Sequence, residues 1–70
     1  MKITYDPKAD ALYIQFQKGK AKQTRKLDGG LLVDFDEDGK VFGIEIIGAS
    51  ERMSLKELGC ISLELPIAVP

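Results

Sequence analysis

Asp34, Asp36, Asp38, Gly39 and Glu45 satisfy the calcium-loop spacing D-x-[DN]-x-[DN]-G-x5-E in full. Such a loop wraps carboxylate oxygens around one hard cation, with glycine making the sharp turn, and Val41 supplies the apolar residue that follows it. An EF-hand also needs a helix on each side, and here the flanking residues alternate as strands do. Asp34, Asp36 and Asp38 are therefore kept as weak divalent-metal candidates at a 34–39 acidic hairpin. A solvated acidic turn is the simpler account of them.

Lys18, Lys20, Lys22, Arg25 and Lys26 hold five of the ten basic residues within a short stretch that contains no acid. A phosphate-binding strip would use such a segment, and a nucleic-acid accessory role would start there. No aromatic residue lies between Phe16 and Phe35, so the stacking platform of a single-strand binder is missing. A solvated loop and a charged edge strand explain the same residues, and a basic edge also suits an acidic protein partner.

Catalytic chemistry has little to draw on. The chain has no histidine, the commonest general base and transition-metal ligand. Ser50, Ser54 and Ser62 thus lack a base, and Ser54 and Lys56 point around different sides of a helix. Asp6 and Asp10 are more simply turn residues than an acid–base pair. The glycines fall at turns and strand ends and never form a phosphate loop. Cys60 beside Ile61 reads as a small buried apolar residue rather than a reactive thiol, and Tyr5 and Tyr13 suit a sheet with wet hydroxyls. The reading is of a non-enzyme with no cofactor.

At 70 residues the chain allows one domain, and a fold of this size is marginally stable without help. Apolar residues make up 44% and charged residues 30%, too apolar for disorder. A net charge of −1 argues against a dedicated nucleic-acid or membrane-surface binder. One cysteine excludes an intrachain disulfide. The first twenty residues offer no export-type hydrophobic run, and a cytoplasmic location is expected.

Lys2 to Tyr5 alternates and stops at Asp6-Pro7. Ala11 to Phe16 is a strand, with Leu12, Ile14 and Phe16 on one face and Tyr13 and Gln15 on the other. Lys22 to Leu27 reads as a polar edge strand, followed by an Asp28-Gly29 hairpin signal. Leu31 to Asp36 and Lys40 to Ile47 form a hairpin closed by Gly39 in the left-handed conformation. A regular hairpin puts Phe35 opposite Val41, Asp34 opposite Phe42, Val33 opposite Gly43 and Leu32 opposite Ile44. Leu32, Phe42, Ile44 and Ile46 then share one face. Leu31, Val33, Phe35, Val41 and Ile47 share the other, with Glu45 beside Leu31. Both faces would be apolar, and each would need cover. Ser50 to Leu58 reads as one nine-residue helix, with a capping-box pattern at 54–57 and Gly59 as its C-cap. Cys60 to Leu65 alternates again, an extra strand for this sheet or for a neighbouring subunit.

Tyr5-Asp6-Pro7, Asp10-Ala11-Leu12-Tyr13-Ile14, and Asp34 to Gly39 running into Gly43-Ile44-Glu45-Ile46, closed by Ala49-Ser50, resemble the domain of unknown function 2283 family of short, mostly prokaryotic proteins. The resemblance covers about residues 2 to 50 and implies a small β-rich domain with no established activity and no assigned catalytic residues. Family members look like proteins found beside toxin-like partners, which implies an antitoxin-like or partner-binding role.

The expected fold is α+β: residues 1–70 as a single domain, an antiparallel β-meander of about five strands with one short helix after residue 49. The expected function is a protein-interaction module, alternatively a weak metal-binding or nucleic-acid accessory domain. One small helix hardly covers two apolar faces, so a homo-oligomer, a dimer first, or a protein partner is expected at Leu31, Val33, Phe35, Val41 and Ile47. No membrane or nucleic-acid partner is expected.

Overall fold

A computed structural model describes residues 1–27 and 29–66. Asp28, the first half of the expected Asp28-Gly29 turn, lies outside the described residues, as do residues 67–70.

Alternating apolar and polar residues, β-branched or aromatic at many positions, produce five strands: β1 Lys2–Asp6, β2 Ala11–Gln15, β3 Gln23–Leu27, β4 Leu31–Phe35 and β5 Val41–Ile47. They make one antiparallel sheet in the order β1-β2-β5-β4-β3. The α+β expectation therefore holds, and the meander runs in sequence from β3 to β5. It then closes against the β1–β2 hairpin through β2 and β5, rather than through β2 and β3. Strand composition explains the order. β5 is the longest strand and rich in isoleucine, so it takes the centre, where both edges are paired. β3 is exposed at every residue and takes an outer edge, as its charges predict.

The β4–β5 register departs from the expected one. Phe35 pairs with Val41 as expected, but Asp34 then pairs with Gly43, Val33 with Ile44, Leu32 with Glu45 and Leu31 with Ile46. A bulge between Asp34 and Phe35 leaves Phe42 as the extra residue. Because side chains alternate at period two, this one-residue slip moves Leu31 and Val33 onto the face of Phe42, Ile44 and Ile46. It moves Leu32 to the side of Glu45, so Glu45 lies beside Leu32 and not Leu31. The two-sided apolar hairpin is thus corrected to a sheet with one apolar and one largely polar face. The turn itself follows expectation: Gly39 has φ 80° and donates to the Asp36 carbonyl at 3.1 Å, and Asp36 N–H donates to Lys40 O at 2.8 Å.

The nine-residue helix is replaced by two single turns, α1 Ala49–Arg52 and α2 Leu55–Leu58. Met53 is extended at φ −152°, and Ser54 beyond it takes the N-cap of α2, its Oγ accepting from Lys56 N–H at 3.2 Å. A serine's short acceptor competes well for a helix start, so the chain restarts there instead of running through. Gly59 caps α2 as expected. Residues 59–66 add no strand to this sheet.

Buried hydrophobic side chains among the described residues are Leu12, Phe42 and Ala49. The molecule measures 34 × 31 × 19 Å, the thin dimension of a single sheet carrying little on either side. Neither helical turn makes an extended contact with a strand.

Candidate functional site

Cross-strand partners share a face, so the register assembles the apolar surface directly. Ile3 pairs with Ile14 and Tyr5 with Leu12; Leu12 and Ile14 pair in turn with Ile46 and Ile44, which meet Leu31 and Val33. Phe16 N–H donates to the Phe42 carbonyl at 2.9 Å and continues the row beyond β2. Most of these side chains, including Ile14, Val33, Ile44 and Ile46 on inner strands, are only half-buried. At the β3 edge, Arg25 lies 5.7 Å from the Phe35 ring centre, a cation held over an aromatic face. Among the expected interaction residues, Leu31, Val33 and Phe35 are brought together here. Ile47 falls on the opposite face, beside Ala11, and Val41 stands exposed at the bulge.

The polar face has its own organisation. Tyr13 pairs with Glu45 but lies diagonally across Gly43, and its hydroxyl donates to Asp34 Oδ2 at 2.7 Å. Thr24 donates to the other oxygen of Asp34, so one chain of polar contacts links β2, β4 and β3 across β5. Only glycine fits under the ring: a β-carbon at Gly43 would come within 2.6 Å of Tyr13 Cζ. Burial, with the Asp34 hydrogen bond and the charges of Asp34 and Glu45, pushes the Tyr13 hydroxyl up to about 12. It is therefore a lasting donor at neutral pH.

A second cluster ties the start of the sheet to α1. Asp10 has φ 49°, the left-handed region that aspartate tolerates better than most residues. Its Oδ1 accepts from Tyr5 Oη at 2.7 Å and from Ser50 N–H at 3.0 Å, and its Oδ2 accepts from Ser50 Oγ at 2.7 Å. Its carbonyl accepts from the N–H groups of Gly48 and Ala49 at 2.8 and 3.0 Å. Asp10 thus caps a helical turn that has no side-chain cap of its own. The Tyr5 and Ser50 hydrogen bonds hold its carboxyl below the usual carboxylate range, which makes it a poor proton acceptor. Through these bonds the triplet ties the β1–β2 turn to α1.

At the acidic hairpin Asp34 and Asp36 spend their carboxylates on internal hydrogen bonds, whereas Asp38 contributes its backbone N–H. Asp36 Oδ1 accepts from the N–H groups of Asp38 and Lys40, each at 2.9 Å, and Oδ2 accepts from Gln17 Nε2 at 2.9 Å. These bonds, led by the Lys40 amide, hold Asp36 low as well. Asp34 is occupied by Tyr13 and Thr24 on the sheet. Among the described residues no group of three or more metal-ligating side chains gathers. The calcium-like spacing is thus spread along a hairpin, with Glu45 paired to Tyr13 and Leu32.

The basic segment does not form one strip. Arg25 is on the apolar face over Phe35, while Lys26, one residue on, faces the other way. Lys22 meets Glu37 at 3.8 Å in an exposed pair, and Lys18 borders a shallow hollow with Met1, Lys2, Gln15 and Gln17. The sequence reading missed both polar ties. The signal for the first was a glycine inside an apolar strand; the second needed the strand pairing that brings Asp10 to Ser50.

The chain belongs to the family described as protein of unknown function (DUF2283), whose match spans residues 2–50 and so runs from β1 into the first turn of α1. It is 47% identical over 55 residues to an uncharacterized protein of Methanocaldococcus jannaschii, a match covering 79% of this chain and 47% of that protein. The chain therefore spans about half the length of the curated relative it matches. No solved structure matches it. No helix among the described residues is long and apolar enough to cross a membrane.

Proposed function

We propose that this chain is a non-enzymatic protein-interaction module, and that its apolar sheet face is the surface that docks. The observation that carries this is an excess of exposed surface. The molecule exposes 5758 Å², whereas a compact folded monomer of this mass exposes about 4,300 Å². Its radius of gyration is 13.5 Å, against about 11 Å for a compact domain of this length. Domains are ordinarily two packed layers of secondary structure around one core, and here one layer stands alone. The occupant favoured is a second copy. Two such sheets stacked face to face supply each other's missing layer, and a symmetric pair is the commonest way for a soluble chain to do so. Standard interfaces bury roughly 800 Å² per partner, within the excess available.

An antitoxin-like role keeps the same surface and places a heterologous protein beside or instead of the second copy. Cys60 is exposed rather than buried as its apolar neighbour Ile61 suggested, and a lone exposed thiol suits a reducing cytoplasm. The metal and nucleic-acid alternatives draw less support from the geometry, because the carboxylates of Asp34 and Asp36 are engaged in hydrogen bonds, no group of three ligands gathers among the described residues, and the cations divide between faces.

Light scattering on the full chain at micromolar concentration tests the reading. Twice the chain mass of 7.7 kDa, or a mass raised by a co-purifying protein, is the expected result. A stable monomer that co-purifies with nothing overturns it.

A further inference from the structure

The last described segment repeats the pattern of a strand without being one. Ile61, Leu63 and Leu65 alternate with Cys60, Ser62 and Glu64, and the three apolar side chains are 58%, 74% and 52% exposed. Few soluble chains leave a row of large aliphatic side chains so open without a surface to receive it. Meanwhile, among the described residues, β1 pairs with β2 on one side and no strand lies along its outer edge.

We infer that residues Cys60–Leu65 form an exchanged strand that adds to the β1 edge of a second copy; this rests on the dimer reading above. Sequence complementarity fixes the direction and register. Setting Leu63 opposite Ile3 in an antiparallel ladder brings Ile61 opposite Tyr5 and Leu65 opposite Met1, all on the apolar face. On the polar face the same register brings Ser62 opposite Thr4 and Glu64 opposite Lys2, an opposite-charge pair. The parallel alternative with Ser62 beside Thr4 would put Glu64 against Asp6, a like-charge contact. The β3 edge offers Gln23 and Arg25 where the tail needs apolar partners. Main-chain ladder bonds would supply affinity, and the alternating side chains would supply register.

The test is a cross-linking experiment between two full-length chains, each carrying Cys60→Ser. One also carries Ser62→Cys, and the other, marked by a mass tag, carries Thr4→Cys. Directly opposed antiparallel residues lie within disulfide reach, so a mixed disulfide should dominate on mild oxidation. A Lys26→Cys partner on the β3 edge should remain uncross-linked. A bond to Lys26→Cys in place of Thr4→Cys overturns the inference. So does a dimer by light scattering that forms no mixed disulfide, and that outcome leaves the stacked-face reading standing. A monomer by light scattering removes both. As a second measure, Leu63→Asp, at a side chain 74% exposed in the single chain, should weaken dimerisation about tenfold or more. An unchanged dimer constant in that variant also refutes the exchanged strand.

Discussion

Replacing Gly43 by alanine should be among the most damaging single-carbon changes in this molecule. Gly43 is buried in the central strand, and the added carbon would sit 2.6 Å from Tyr13 Cζ and 2.9 Å from the Ile14 carbonyl oxygen. The ring is the movable partner, so it must lift from β5 and give up its hydrogen bond to Asp34. A hydrogen bond to a charged acceptor contributes about 1.5–3 kcal/mol, and overpacking of a filled site costs about 1–3 kcal/mol. Because the bond is only part-buried, the combined loss is set at about 2–4 kcal/mol. For a domain of this size that lowers Tm by about 10–25 °C. Thermal and urea unfolding followed by circular dichroism give the number. The decisive control is Tyr13→Val. In that background Gly43→Ala should cost much less, since only the Ile14 carbonyl remains in the way, and the double-mutant cycle should show coupling above 1 kcal/mol. Near-neutral Gly43→Ala, or equal costs in the two backgrounds, would refute the packing of Tyr13 across β5.

Other outcomes follow from the same contacts. Asp10 and Asp36 have carboxyls held below their ordinary value of 3.8, so their contribution is complete above that value and is lost as pH falls through the folded values. Melting temperature should therefore drop in acid, and Asp10→Asn should flatten that drop; an unchanged acid slope would contradict the Asp10 tie. Tyr13 moves the opposite way, from 10.0 to about 12, so its stabilisation is present below the ordinary value and disappears as pH rises toward 12. With two tyrosines and no tryptophan, ultraviolet titration should show both tyrosinate steps displaced upward, Tyr5 through its hydrogen bond to Asp10, and the later step missing in Tyr13→Phe. Calcium titration by calorimetry should reveal no site tighter than roughly 100 µM, outside the sensor range. A micromolar site abolished by Asp36→Asn would restore the metal reading.

Much of the architecture was legible in the residues. Alternation and turn signals located β1, β2, β4 and β5, the charges of β3 marked it as an edge strand, and Gly39 fixed the tight turn after Asp36. The register was not legible, because a bulge adds one residue without altering alternation on either side of it. The need for glycine at 43 is likewise non-local, since it follows from Tyr13 of β2, thirty residues earlier in the chain. The same limit hid the helix break. Ser54 could be read as an N-cap, yet the stretch from Ser50 could equally run through it, and only the extended backbone at Met53 decides. Tyr5, Asp10 and Ser50 could each be read locally as turn or surface residues, since the link from Asp10 to Ser50 closes across 40 residues of chain.

Val33 and Ile47 provide the most direct measurement of the central claim. Local alternation alone would place both on one docking surface, whereas the bulged register sets Val33 on the apolar face opposite Ile44 and Ile47 on the reverse face beside Ala11. Both are partly exposed aliphatic side chains on neighbouring strands, so aspartate is a comparable insult to the single chain at either position. Light scattering across a concentration series should then show Val33→Asp as a monomer and Ile47→Asp as an intact dimer. A dimer that survives Val33→Asp, or one that dissociates equally with both substitutions, would contradict docking through the apolar face.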